Sequence, residues 1–454
     1  MPDMPFTSIE GRIPHSDGVH AHDQAAITEV FGDRLARSFP PIKPRDPQQA
    51  QPQLDQAKEP QKLHDNKKIH NICRLRTQDP SHLTINWARL VIARHTPIAS
   101  HTLIWVSNDD HRRLISLSDH VRFTPGENCV MPSTRITPLG FESLGVRSMC
   151  TFVETPDVRI LIDAGVALGP RFRKLPHPRE YRARNECRAR IREYAARADV
   201  IVVSHYHNDH HTPNYTETVW VGCSAEEAEE IYKDKLVLAK DVRNAINFNQ
   251  RRRGWMFQRF IRRIGSKCEV ADGRDFDFGS TTVAVSRPVP HGDEHSEMGW
   301  VLMTCVRSRE EVFLHASDVQ GPMSKRTVRL ILKEKPSVLV LGGPPTYLKG
   351  VRVEGSLVQQ GIENAASITA KIPVVILEHH MLRDANWRTD AKPIYDSSLK
   401  ANHSVVTAAE YLGVPNMLLE SMREQLYEED APSQEFLQWM ELHRDKRRLQ
   451  PPPV

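Results

Sequence analysis

The chain has 454 residues, a formal net charge of +4 and 26% charged residues, with a mean hydropathy of −0.49 and a pI near 8.6. That length holds two or three domains with an ample core. No apolar run reaches the roughly eighteen residues of a membrane span, and the opening MPDMPFTSIEGR lacks the basic and apolar stretches of a secretory leader, so neither a membrane protein nor a secreted scaffold is expected.

Along the chain, residues 39–68 are dominated by Pro, Gln, Asp and Lys, a composition that cannot bury enough apolar surface to offset chain entropy. Two short apolar runs follow, at 87–93 and 102–106, without caps or partners that define a domain. Residues 1–135 are therefore expected to be an N-terminal extension, either disordered or arising from a mis-assigned start, since Met131 stands just ahead of the first strand-like segment. From Ile136 onward, compact apolar runs alternate with turns and helical stretches. The runs at 150–154, 159–162, 200–203, 281–286, 300–306, 312–315, 337–341 and 373–377 read as buried strands. Residues 178–198, 224–235, 324–334, 355–370 and 403–426 read as helices. This interleaving predicts one α/β domain over 136–426, followed by a charged C-terminal tail over 427–454.

Seven cysteines are scattered singly, with no CxxC pair. Such a set fits reduced thiols in a cytoplasm better than a disulfide framework or a Cys-rich zinc module. Histidine is more telling, with 22 residues, several of them clustered. The strongest signal is VIVVSHYHNDHHTP at 200–213, where a β-branched strand runs directly into His205, His207, Asp209, His210 and His211. Residues 205, 207 and 209 project alike from an extended segment, and His210 turns to the opposite side where a helix or loop begins. Two imidazoles then serve one metal, and an Asp with an imidazole serves a second. Such a cluster at the end of an apolar strand is poor packing material, which argues against a merely solvated role.

Here the sequence resembles the metallo-β-lactamase superfamily, whose hallmark is HxHxDH after a strand, and the resemblance runs through most of 136–420. RILIDAG at 159–165 is similar to the superfamily's strand ending in an Asp–x–Gly turn, which implies that Asp163 supports the metal shell by hydrogen bonding. VPHGDEHSEMGW at 289–300 is similar to the third ligand segment, with His291 fitting better than His295. VFLHASDVQG at 312–321 resembles the strand end that supplies a bridging Asp, here Asp318. VVILEHHMLRD at 374–384 resembles the last ligand strand and offers His379 or His380. More narrowly, FESLGVRSM, LIDAGVALGP, SHYHNDHHTP, LGGPPTYL and LEHHMLRD together resemble an uncharacterised, largely archaeal family within that superfamily.

The resemblance implies a four-layer αββα sandwich and a dinuclear site. His205, His207 and His291 would form one half, Asp209, His210 and His379 the other, with Asp318 bridging. Two divalent cations held close together depress the pKa of a bridging water toward neutrality and stabilise charge developing on a scissile group. The implied activity is hydrolysis by the bridging hydroxide, with Asp209 as ligand and proton acceptor. Nitrogen and oxygen ligands without thiolate suit zinc first, and manganese or iron as well. His211-Thr212-Pro213 stands where many superfamily hydrolases carry glycine, so the substrate classes of well-known members do not carry over.

Two segments are rich in arginine. Residues 171–197 hold ten basic and three acidic residues, and 251–267 (RRRGWMFQRFIRRIGSK) hold seven basic and no acidic ones, interleaved with Trp255, Phe257 and Phe260. The second segment reads either as a patch for phosphates and bases or as an amphipathic helix with buried aromatics and solvated arginines. GGPPTY at 342–347 reads either as a rigid turn or as a rim that brings Thr346 or Tyr347 to substrate. The expected substrate is a phosphodiester, a small molecule or nucleic acid. The alternatives are a lactone or ester on the same site, and a non-enzymatic nucleic-acid-binding module with a structural metal.

Overall fold

A computed structural model describes residues 134–454 and, ahead of them, the backbone of three strands, β1 (Val91–Ile92), β2 (Thr102–Asn108) and β3 (His111–Leu117). These three form an antiparallel sheet in chain order. The rest of the stretch expected as an N-terminal extension lies outside the described residues.

The main body holds two large sheets. The first has six strands in chain order: β4 (Arg135–Gly140), β5 (Cys150–Glu154), β6 (Arg159–Ile162), β7 (Val200–Val203), β8 (Leu236–Ala239) and β9 (Lys267–Val270). The second joins β10 (Asp275–Phe278), β11 (Thr281–Val285), β14 (Thr304–Ser308), β15 (Glu311–His315), β16 (Val338–Gly342), β17 (Val374–Glu378) and β18 (Ser404–Val406). Between β11 and β14, β12 (Val289–Pro290) and β13 (Trp300–Val301) pair as a separate ribbon. Both sheets begin antiparallel and end parallel. In the first, pairing turns parallel from β6 onward, and in the second from β15 onward.

Parallel neighbours need a crossover, and helices supply it. In the first sheet these are α1 (Pro178–Arg197), α2 (Ala225–Tyr232) and α3 (Phe248–Arg263); in the second, α4 (Lys325–Glu334), α5 (Gly355–Thr369), α6 (Trp387–Asp390) and α7 (Lys392–Lys400). Local chemistry fixes the start of α1, where Pro178 occupies the first turn and His177 and Glu180 form a reciprocal capping box. Strands such as VIVV of β7 are buried at every position, as parallel strands covered on both faces must be. Three apolar clusters result. One packs the first sheet with α1, α2 and α3, one packs the second sheet with α4, α5 and α7, and a third draws on residues of both sheets, including Ile160, Val202, Val306, Val340 and Ile376. Among the described residues no helix is long and apolar enough to cross a membrane.

Three sequence expectations require correction. The apolar run 300–306 is not one strand: it breaks at Leu302 and Met303, because the Leu302 amide donates to the Ser204 carbonyl at 3.1 Å instead of to a sheet neighbour. Residues 403–426 are not one helix. They contain β18, a short helix α8 (Ala408–Leu412) stopped by Gly413 in the left-handed region, and the start of α9 (Arg423–Glu429). Val405 and Val406 favour a strand, and Gly413 with Pro415 ends a helix. Residues 427–454, expected as a charged tail, continue into α10 (Gln434–Glu441) and α11 (Arg444–Leu449). Phe436 and Trp439 of α10 join the first core cluster and pack on Tyr181; two apolar residues one turn apart were masked by the surrounding charge.

This C-terminal segment is anchored by Arg423, whose guanidinium donates twice to the Glu180 carboxylate, at 2.7 Å each, with both side chains fully buried. Removing one partner of a buried pair leaves an uncompensated charge and costs about 3–5 kcal/mol, whereas apolar replacement of both costs far less. Arg423→Leu is therefore expected to lower the unfolding midpoint steeply, and Arg423→Leu with Glu180→Leu to recover much of the loss. Denaturant titration of the two variants checks this.

Candidate metal centre

The chemistry sits at the carboxyl ends of β6, β7, β15 and β17, where both sheets have become parallel. After β7 the chain stays extended through Ser204–His207 and then turns. His205 and His207 therefore point the same way, while Tyr206 points away and is buried against α3. That packing needs Gly254, since a Cβ there would lie 2.3 Å from the Tyr206 ring. The turn carries Asp209 and His210 back over the end of β6, where Gly165 leaves room: a Cβ at 165 would stand 2.2 Å from the His211 backbone nitrogen.

The structure brings all the expected ligand residues together. His205, His207 and His291 form one group, and Asp209, His210 and His379 another, with one ligand atom of each residue within 4.8 Å of the others in its group. The Asp318 carboxylate lies between them, 3.0 Å from His291 Nε2 and 3.1 Å from His379 Nε2. His380 also reaches Asp318, at 3.2 Å, so both histidines of the pair face the cluster. His295 is exposed and belongs to none of the groups. Two buried atoms in the cluster lack any hydrogen-bond partner, His210 Nε2 and Asp318 Oδ1. Buried polar atoms are seldom left unsatisfied, and a nitrogen and an oxygen lone pair aimed into a His/Asp cluster fit a divalent cation.

The outer nitrogen of four of the imidazoles is occupied. His205 Nδ1 meets Ser204 Oγ at 3.0 Å, His210 Nδ1 meets Asp163 at 2.8 Å, His291 Nδ1 meets the Gln320 amide at 3.1 Å, and His379 Nδ1 meets Glu142 at 3.1 Å. Partners of this kind fix ring orientation and leave Nε2 directed inward. His207 is reversed, with Nδ1 facing His205 and His291. Asp163 supports His210 and also accepts from the Ser204 amide and hydroxyl, at 2.8 and 2.7 Å.

Ionisation follows from burial and these neighbours. Burial pushes His205 and His207 well below the usual imidazole range and His380 down to about 4, so these rings are neutral and have lone pairs to offer. Burial opposes ionisation of Asp318, but His291, His380 and His379 more than offset it and hold the carboxyl well below its usual value. His379 rises to about 10: burial works against the shift, and Glu142 and Asp318 outweigh it. Strain gathers in the same place. Asp163, Ser317, Gln320 and His379 are non-glycine residues with φ of 54°, 58°, 53° and 68°, conformations that persist where surrounding structure over-determines them.

Sequence reading missed several supporting residues. Glu142 accepts from Arg383 Nε and Nη2 at 2.9 and 2.6 Å, and Arg383 lies 3.8 Å from Asp209. The only signal was an acidic residue in FESLGVRSM, a motif with no role assigned to it. Ser204, Ser317 and Gln320 were likewise unassigned. Tyr347, offered as a rim residue, places its hydroxyl 3.2 Å from His380 Nδ1, beneath the Arg171 guanidinium at 4.3 Å from the ring centroid.

No family model matches the chain. The UPF0282 protein of Methanopyrus kandleri is 41% identical over 297 residues, 65% of this chain and 100% of that protein. The UPF0282 protein of Thermococcus gammatolerans is 42% identical over 298 residues, 65% of this chain and 96% of that protein. The chain belongs to the UPF0282 family. Among solved structures it is similar to a diphosphatase of the PhnP family (TM-score 0.32, 12% identity, 54% of this chain and 85% of that one). It is also similar to the short form of human tRNase Z (TM-score 0.31, 11% identity, 54% and 92%) and to CmlA, a diiron β-hydroxylase from Streptomyces venezuelae (TM-score 0.38, 13% identity, 61% and 52%).

If Asp163 sets the orientation of His210, then Asp163→Asn, which keeps the volume and loses the charge, is expected to weaken metal affinity about 10- to 100-fold. Competition with a chromogenic chelator measures this, and an unchanged circular dichroism spectrum separates it from unfolding.

Proposed function

We propose that this chain is a metal-dependent hydrolase with the four-layer αββα architecture of the metallo-β-lactamase superfamily. The architecture is supported by the order of the three apolar clusters: helix against sheet, sheet with sheet, sheet against helix. The activity rests on one observation above the rest. Two buried His/Asp groups from different strand ends meet at a single carboxylate, Asp318, with His210 Nε2 and Asp318 Oδ1 left unpaired. In this reading His205, His207 and His291 would hold one divalent cation and Asp209, His210 and His379 the other, with the Asp318 carboxylate placed to serve either; His380 is an added candidate on the second side. Zinc suits the donor set, as do manganese and iron. Such a pair of cations supplies Lewis-acid polarisation of the scissile group and acidifies a coordinated water.

The protein's own residues do the rest. Asp209 is ionised: burial raises its carboxyl pKa, but His210, His379 and His207 drive it far below the ordinary value, so it presents an anionic oxygen to the cluster at neutral pH and suits passing a proton on rather than keeping it. Tyr347 and Arg383 hold the His380 ring from its outer side, at 3.2 and 3.3 Å from Nδ1. Arg171, stacked on Tyr347, and Arg253, whose electrostatic reach includes Asp209, place positive charge beside the cluster. That charge favours an anionic substrate, and we assign a phosphodiester ahead of a lactone or another ester.

Two measurements test this. Protein purified without chelator is expected to carry about two equivalents of zinc, manganese or iron per chain by mass spectrometry, and Asp318→Ala about one or fewer. Bis(p-nitrophenyl) phosphate is expected to be hydrolysed in a reaction abolished by chelator and restored by added metal, with Asp209→Ala slower by about 100-fold or more, the scale of losing a positioned proton-transfer group. Metal content and hydrolysis unchanged in Asp209→Ala would end the proposal. Hydrolysis of p-nitrophenyl acetate or a lactone but not the diester would keep the hydrolase and replace the substrate.

A further inference from the structure

The two arginine-rich segments have different fates in the fold. In α1 four of the seven guanidinium groups, those of Arg184, Arg188, Arg192 and Arg197, are engaged by the protein itself. Arg184 donates to the Thr218 and Val219 carbonyls at 3.0 Å each, Arg188 pairs with Glu227 at 2.7 Å, and Arg197 pairs with Glu154 at 3.3 Å. Helix α3 carries six arginines and no acidic residue over FNQRRRGWMFQRFIRR, and among the described residues none of the six forms an ion pair. Arg251 and Arg253 donate only to backbone carbonyls, at 3.4 Å each.

The aromatics of α3 also divide. Phe257 and Phe260 are buried in the first core cluster, whereas Phe248 is 76% and Trp255 52% exposed. Phe248, Arg251, Trp255, Arg259 and Arg262 follow one another at three- and four-residue steps, so they share one face of the helix, and all five are exposed. The Arg259 guanidinium lies over the Trp255 ring at 5.5 Å. The amino-terminal turn of the helix, where this face begins, adjoins the metal cluster through its inner side. Asn247 donates to the Glu297 and Met298 carbonyls and Gln250 to Met298, in the segment after His291. Gln250 also accepts from the Tyr206 amide at 3.3 Å, between His205 and His207.

We infer that the outward face of α3 is a docking surface for single-stranded nucleic acid, which it guides toward the centre described above; this deepens the phosphodiester reading and rests on it for the guiding role. Unpaired guanidinium groups attract a chain of phosphates, and exposed Trp255 and Phe248 give unstacked bases a flat partner, which an acidic protein would not use. An anionic membrane fits poorly, because a surface-lying helix buries a continuous apolar face in lipid and the apolar face of α3 is already buried in the core.

The test uses the full chain and a fluorescein-labelled phosphorothioate oligothymidylate 20-mer, with binding read by anisotropy across a salt series. Trp255→Ala is expected to weaken binding about 10-fold, within the range for loss of one stacking partner, and Trp255→Phe to restore most of it. Arg259→Ala with Arg262→Ala is expected to flatten the slope of log affinity against log salt by about 1.4, from ~0.7 per phosphate contact on a single strand. Each variant should hydrolyse bis(p-nitrophenyl) phosphate like the parent. Oligonucleotide binding equal to the parent's in the Trp255→Ala and double-arginine variants would overturn the inference, as would tighter α3-dependent binding to phosphatidylserine vesicles. Should the parent fail on the small diester while its oligonucleotide binding still depends on α3, the hydrolase reading falls and the docking surface stands.

Discussion

The Asp163 carboxylate is the point on which the arrangement depends. It is fully buried at the end of β6 and is approached by the Ser204 amide, the Ser204 hydroxyl, His210 Nδ1 and, at 3.2 Å, the Ser317 hydroxyl. Ser204 follows β7 in the first sheet and Ser317 follows β15 in the second, so one side chain ties three strand ends from both sheets. A buried carboxylate is tolerated only with its lone pairs satisfied, and here the groups that satisfy it are neighbours of proposed ligands on each side. The fold cannot release Asp163 without releasing the geometry of His205, His210 and Asp318 as well.

The same demand explains the concentration of positive φ angles. Asp163 and Ser317 turn sharply straight after their strands so that their side chains can meet, and Gln320 and His379 turn so that an amide and an imidazole can face the cluster. Any one of these conformations is costly alone. They are held because the backbone amides around them are paired across strand ends: Asp163 donates to Val202 and Gly343 to Glu378, at 2.9 and 2.7 Å. Glu378 in turn accepts from the Ala408 amide at 2.7 Å and the Ser143 amide at 3.3 Å, which extends the network to the segment beyond β18.

What was legible in the sequence was local. VIVV followed by His205, His207, Asp209 and His210 reads as a strand and a metal-ligand cluster because the period of an extended chain and the chemistry of its side chains lie in one window. The strands β5, β6, β7, β11, β15, β16 and β17 and the helices α1, α2, α4 and α5 were equally readable from periodicity, whereas β4, β8, β9 and β10 were not. Contacts at long range were not. Glu142 and Arg383 are 241 residues apart, and nothing in either neighbourhood announces the other; Arg423 and Glu180 are 243 apart. The segment 403–426 misled because its composition allows a helix, while its valines are recruited by the edge of a parallel sheet, a tertiary override of propensity. Phe436 and Trp439 were hidden for the opposite reason, since charged neighbours dominated the average over a short window.

Arginine content shows the limit of composition most plainly. Counted along the chain, the segments at 171–197 and 251–267 look alike, yet a guanidinium that has met a carboxylate or a carbonyl in the interior is fixed there by its planar fork. Arg383, bound twice by Glu142 and fully enclosed, is of that kind, and so are Arg184 and Arg188. They shape loops and bury charge but cannot turn toward an incoming anion without leaving a carboxylate or a carbonyl unpaired inside the protein. The arginines on the outer face of α3 carry no such obligation: their stems leave a helix whose inner face is already committed to the core, and among the described residues none of them meets a carboxylate. A phosphate chain arriving there displaces only water and counterions, so its attraction is not offset by the cost of breaking a buried pair. Pairing, rather than the number of basic residues, therefore decides which surface of this protein is electrostatically available to a partner.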